Sequence, residues 1–220
     1  MKGTWLLALE TSVTRATLAL ARNGTVVGER SFTSERSQEC DLFPPLQALL
    51  GELPAGESLA TIIVGTGPGS YNGARVGIAA AQAVASIHGC PVAGLCSFEG
   101  VDLALKHPAV WAVGDARRGS FFILPLQQGR PQLPPQLLDE EDFRETTQGL
   151  AGPLITFESL DRLPSGTAAR ESRSTAQGLL RAWLTRSADE QKILSTAETE
   201  AFYLRPPHIT KSKKTSMSGS

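Results

Sequence analysis

The densest chemistry-bearing stretch is Gly65-Thr66-Gly67-Pro68-Gly69-Ser70-Tyr71-Asn72-Gly73, with four glycines and one proline in nine residues. Backbone this bare can bring amide N–H groups against a phosphate at a helix N-terminus. It can equally let two elements pack closely around no ligand. The specific nucleotide fingerprints are absent. The spacing of Gly67, Gly69 and Gly73 is G-x-G-x-x-x-G, no G-K-[ST] follows, and Ser70 is not centred in G-x-S-x-G. Both readings therefore stay open. Two further clusters could contribute: Glu10-Thr11-Ser12 and Asp115-Ala-Arg-Arg-Gly119. A carboxylate in a phosphate-facing turn repels the anion unless a cation intervenes. Glu10 and Asp115 thus read either as turn-stabilising residues or as remnants of a nucleotide site. Arg117-Arg118 is either a solvated turn or a contact to RNA. Cys40, Cys90 and Cys96, and His88, His107 and His208, are scattered without metal-ligand spacing, so no metal and no cofactor are expected.

These clusters need elements to hold them. Short apolar runs over residues 6–9 and 16–21, followed by Asn23-Gly24 and a third run through Phe32, predict an antiparallel meander with a tight hairpin. Leu42, Phe43, Leu46, Leu49 and Leu50 fall on one broad helical face, with Pro44 and Pro45 near its start and Gly51 as a stop. The β-branched run 61–64 predicts a strand leading into the glycine loop. A helix over about 74–88 and a strand over 92–95 follow, which makes a parallel crossover. Strands are expected over 109–113 and 120–126. Beyond Gln127 the prolines break the pattern, and a helix near 175–185 is the one further element. The second helix carries Arg75 as its one charge and is thin and apolar on more than one side. That fits packing on its own sheet, an interface with a second subunit, or both.

The 220 residues suit one domain or two small lobes. Hydrophobic residues at 41% and charged residues at 20% are globular rather than disordered. Lys+Arg 21 against Asp+Glu 22 gives a net charge of -1, so no global field draws nucleic acid or membrane, and any RNA contact needs a local patch or a partner. The apolar run near Trp5 stops at Glu10, too short for a secretion signal, and a cytoplasmic protein with no membrane association is expected. The Lys/Ser-rich residues 211–220 read as a disordered tail, with Lys211, Lys213 and Lys214 either a weak RNA attraction or idle.

Leu7-Ala-Leu-Glu-Thr-Ser12, the glycine loop followed by Ala-Arg-Val-Gly-Ile-Ala79, Asp115-Ala-Arg-Arg-Gly119 and Tyr203-Leu-Arg-Pro206 together resemble the TsaB/YeaZ family. The motifs sit in that family's order from residue 5 to about 206. Departures are Asn72 where Thr is usual, Ala74 where a large apolar residue is usual, and Ser37-Gln38-Glu39-Cys40 where the first helix is usually His-rich. The resemblance implies an α/β fold of the actin, sugar kinase and Hsp70 type (ASKHA), with two lobes on mixed sheets. The first lobe would span 1–105 and the second 106–195, with 196–210 returning to the first. It also implies a non-catalytic subunit that pairs with a TsaD-like catalytic subunit, joined by a TsaE-like ATPase. The complex would transfer a threonylcarbamoyl group to the adenosine 3′ of the tRNA anticodon. Alone the chain would be a homodimer, and tRNA would reach it indirectly, through the complex. The interface would use Leu42, Leu46 and Leu49 of the first helix and Gly73, Val76, Gly77, Ala80, Ala81 and Val84 of the second. Ala80→Glu or Ala81→Arg would then abolish pairing in a folded monomer. Glu10, Thr11, Ser12, Gly67, Gly69 and Asp115 would be what remains of a nucleotide site. The metal-holding histidines of TsaD would fall near Ser97 and Val101, neither a good ligand. The alternatives are an actin-like ATPase and a glycoprotease-type peptidase, the latter without a visible nucleophile and base.

Overall fold

The computed structural model describes residues 3–33 and 38–204. The chain opens with β1 (Trp5–Glu10), β2 (Arg15–Arg22) and β3 (Thr25–Thr33). All of β1 is buried, because its alternating faces serve two cores. Trp5, Leu7 and Leu9 face one, and Leu6 and Ala8 the other. Asn23 and Gly24, at φ 51° and 80°, make the expected tight hairpin, and Arg22 pairs with Thr25 across it. Next come α1 (Gln38–Leu50), β4 (Leu59–Gly65), α2 (Tyr71–His88) and β5 (Val92–Leu95). The sheet order is β3-β2-β1-β4-β5, with β1, β4 and β5 parallel and β2 antiparallel to both neighbours. α2 starts earlier than its periodicity predicts because Ser70 caps it, its Oγ accepting from Gly73 N at 3.2 Å. It stops at Gly89, whose φ of 63° suits glycine. Both α1 and α2 cover the same face of the sheet.

A short 3-10 turn, Ser97–Gly100, and α3 (Asp102–Lys106) lead into β6 (Ala109–Asp115), β7 (Phe121–Gln127), β8 (Arg130–Pro131) and β9 (Gln136–Leu138). α4 (Glu140–Gly149), β10 (Leu154–Thr156) and β11 (Ala169–Glu171) complete a second mixed sheet, ordered β11-β10-β6-β7-β8, with β9 also on β7. α4 escapes a periodicity search because Phe143 is its one buried residue. It is held instead by its cap, Asp139 accepting from Asp142 N at 2.9 Å.

α5 (Ala176–Leu184) and α6 (Ala188–Thr196) end the helical part. α5 does not belong to the second sheet. Leu179, Leu180 and Trp183 pack on Leu6, Ala8 and Ile63 of the first. The expected boundaries 106–195 and 196–210 are corrected accordingly: the second sheet ends at Glu171 and the chain is back on the first by Ala176. The second face of β1, β2 and β4 is apolar and must be covered, and α5 is the amphipathic helix that covers it. Residues 197–204 then run along both lobes. Phe202 N bonds Thr66 O at 2.8 Å, Ala201 enters the first core, and Leu204 packs in the second. The architecture is of the ASKHA type. Among the described residues no helix is long and apolar enough to cross a membrane. The expectations placed on Ser37, on 205–210 and on the 211–220 tail lie outside the described residues.

Candidate functional site

The turn after β1 is a closed polar knot. Glu10, Thr11 and Ser12 are all buried. The Glu10 carboxylate accepts from Ser12 N at 2.9 Å, Ser12 Oγ at 2.7 Å and Ser174 Oγ at 2.8 Å. With the Ser12 proton committed to Glu10, Ser97 Oγ donates to Ser12 Oγ at 2.7 Å and accepts from Gly67 N at 2.9 Å. Ser70 N bonds Ser12 O at 2.6 Å, and Thr11 Oγ1 donates to Gly73 O at 2.7 Å. These donors, which a phosphate would need, are engaged inside the protein. The glycines have the same cause. A Cβ on Gly65 would meet Glu10 Oε2 at 2.3 Å, one on Gly69 would meet Ser12 O at 2.4 Å, and one on Gly77 would meet Thr11 Oγ1 at 2.1 Å. Ser97 belongs to this knot and Val101 to the second core. Among the described residues no three His, Cys, Asp or Glu side chains group as a metal site.

The residues expected to face a partner do not form a free surface. Leu42, Leu46, Leu49, Ala80, Ala81 and Val84 are at most 6% exposed, Gly73 and Gly77 are buried, and Val76 is half-buried against the same core. They pack α1 and α2 on their own sheet, and the alanines let α2 sit close to β4 and β1. The outward sides carry other residues. Phe43 of α1 is 58% exposed and Ile87 of α2 82% exposed, and Ala79 and Ala83 of α2 are exposed as well. Both sides of α2 are thin and nearly uncharged, so its sequence does not distinguish them.

A cleft of about 1020 Å³ opens between the two lobes. Its walls are the β1–β2 turn (12–14), the start of α2 (68–72), the β6–β7 turn (115–118), the segment 157–162 and the strap 202–204. Of the residues expected in a nucleotide site, Ser12, Gly69 and Asp115 line it, and Glu10, Thr11 and Gly67 do not. Asp115 is held by its surroundings. Its N–H donates to Glu158 Oε2 at 2.8 Å, and its carboxylate accepts from Arg117 N at 2.6 Å and the Arg117 guanidinium at 3.1 Å. Tyr71, Arg162 and Tyr203 also line the cleft and were not expected there. The Tyr71 and Tyr203 hydroxyls lie 2.9 Å apart and their ring centroids 5.1 Å apart. The bond to Tyr71 pushes the Tyr203 phenol above its usual range. The pairing of Tyr71 with Tyr203 joins the glycine loop to the last motif of the chain, and both residues stood in the quoted motifs.

The family model for TsaD, tRNA N6-adenosine threonylcarbamoyltransferase, matches residues 35–133. The tRNA threonylcarbamoyladenosine biosynthesis protein TsaB of Bacillus subtilis is 30% identical over 120 residues, 53% of this chain and 52% of that protein. YeaZ from Pseudomonas aeruginosa superposes with a TM-score of 0.59 at 25% identity, covering 81% of this chain and 90% of that one. The chain resembles TsaB, also called YeaZ. This chain also superposes on another solved structure, described as a protein with similarity to the peptidase YeaZ from Pseudomonas aeruginosa, covering 92% of this chain and all of that one at a TM-score of 0.66. At 23% identity it speaks for the fold alone. The curated TsaB match spans about half of that relative's length.

Proposed function

We propose that the chain is a non-catalytic subunit of a tRNA threonylcarbamoyladenosine-forming complex, and that it works in the cytoplasm by pairing with a TsaD-like catalytic subunit with which a TsaE-like ATPase associates. The observation that carries this reading is the sealed Glu10–Ser12–Ser97 knot. A phosphotransferase or ATPase of this architecture would hold phosphate with donors of that turn, and here the Ser12 amide and hydroxyl both donate to Glu10 instead. The likeness to TsaB supports the pathway, and the TsaD-family match supports a shared ancestry with the catalytic partner. The pairing surface is the outward side of α1 and α2 around Phe43, Ala83 and Ile87, exposed apolar residues that a second polypeptide would cover. Co-expression with the organism's TsaD-like protein tests the reading. Wild type should co-purify with it and support tRNA modification. Phe43→Glu and Ala83→Glu should lose co-purification while melting as wild type does. Retained pairing in both variants moves the interface elsewhere, and substantial ATP turnover by the lone chain overturns the non-catalytic reading.

A further inference from the structure

The mouth of the cleft carries a chemistry that the sealed knot does not use. Tyr71 and Tyr203 are 41% and 45% exposed, and Phe202, next in the chain, is 37% exposed. Packing does not require these rings to be wet, and the chain has few aromatics to place there. The shared hydroxyl bond fixes the two tyrosines in relation to each other without burying them. The Arg75 guanidinium lies 5.3 Å from the Tyr71 ring centroid. Arg117, Arg118 and Arg162 line the same cleft. Asp115 engages Arg117, and Glu158 lies 4.0 Å from Arg162. Arg118 has no carboxylate within ion-pair distance among the described residues. Arg117, Arg118 and Gly119 sit in the left-handed region at φ 65°, 58° and 68°. Asn or Gly would make that turn with less strain, and two arginines stand there instead.

We propose that this mouth binds an unpaired nucleotide of a single-stranded RNA, with the base stacked on the Tyr71–Tyr203 pair and the strand's phosphate against Arg118 and its neighbours. Rings beside guanidinium groups are how proteins hold unpaired bases and a tracking backbone. A free nucleoside polyphosphate fits less well. Its phosphates would compete for the Ser12 amide and hydroxyl, which already donate to Glu10, and for the Gly67 amide, which donates to Ser97, and they would approach the Glu10 carboxylate. Duplex RNA fits less well because its bases are stacked on one another. With a net charge of -1 on the whole chain, attraction has to be local, and this wall is a local patch. The inference deepens the tRNA reading and rests on it for the identity of the RNA, but direct binding is a property of this chain alone.

Fluorescence anisotropy of a labelled short single-stranded RNA on the purified full chain tests it, with ATP and a duplex of equal length as competitors. Binding should weaken with salt, and unlabelled single strand should compete better than ATP or duplex. The double variant Tyr71→Ala/Tyr203→Ala should weaken binding at least about fivefold. Arg118→Ala should weaken it and lower the salt slope by about one, with Arg118→Lys restoring most of the slope. Thermal melts confirm that each variant is folded, and Arg118, exposed in a turn, separates the test from any fold effect of the tyrosines. Absent binding, or binding that these variants leave unchanged, overturns the proposal. Tighter competition by ATP overturns it in favour of a free-nucleotide site. Absence of RNA binding by the wild-type chain, with intact pairing to the TsaD-like protein, sinks this inference and leaves the subunit reading standing. RNA binding without pairing does the reverse.

Discussion

Gly77 and Thr11 are a pair that neither residue's neighbourhood in the chain announces. α2 crosses the β1–β2 turn so closely that a methyl at Gly77 would stand 2.1 Å from Thr11 Oγ1, while that hydroxyl holds Gly73 O at 2.7 Å. Gly77→Ala must displace the hydroxyl or push the helix off the sheet. We expect a loss of about 1–3 kcal/mol, the usual result of overpacking. Thr11→Ala removes the obstructing oxygen, so the double variant should lose less than the two single losses added together. Urea denaturation of the three variants measures this, and strict additivity would show that the contact does not govern the helix position. The small-residue spacing of α2 was legible in the sequence. Its reason was not, because the residue that demands it lies in the turn after β1, some sixty positions away.

The end of α5 is tied to the 3-10 turn Ser97–Gly100 by a buried ion pair. Arg186 bonds Glu99, with their side chains 7% and 5% exposed, and Glu99 also accepts from Cys96 N at 3.1 Å. Burial pushes the Glu99 carboxyl up from its ordinary value of 4.5, and Arg186 pulls against that rise. A folded-state value above the unfolded one means that the native protein keeps a proton the unfolded chain has released. That contribution is complete below the ordinary carboxylate range and is lost as pH rises through the folded value. Arg186→Leu removes the strongest opposing influence and leaves a buried carboxylate unpaired. It should cost about 3–5 kcal/mol near neutral pH and noticeably less once the pH falls through the raised Glu99 value, where the carboxyl is protonated. Denaturation midpoints across pH check this, and a loss independent of pH would show that Arg186 acts through packing alone. α5 itself was visible as a helix from its periodicity. Its docking on the first sheet depends on a partner face and an ion pair from distant parts of the chain.

The arrangement of both lobes reassigns the surface available to a partner. Ala81 is fully buried and Ala80 6% exposed, both in the core under α2. Ala81→Arg should therefore unfold the chain or destabilise it by more than about 3 kcal/mol, since a charge would be buried without a counter-ion. Ala83→Glu, on the opposite side of the same helix, should melt within about 0.5 kcal/mol of wild type. Calorimetry on the lone chain distinguishes them before any partner is added. Equal stability of the two variants would contradict the orientation of α2. The same arrangement forms the cleft, whose walls come from five separate stretches between Ser12 and Leu204.

Local pattern carried much of the first lobe. The Asn23-Gly24 hairpin and the β4–α2–β5 crossover with its glycine loop are written in neighbouring residues, because turn chemistry and apolar period act over a few positions. The motifs also carried the family likeness. Which apolar face is covered by the chain's own sheet, where α5 returns, and how Tyr71 comes to meet Tyr203 all depended on three-dimensional packing. An apolar stripe states that a face will be covered and is silent about what covers it, and a hydrogen bond between distant residues leaves no periodic trace in either.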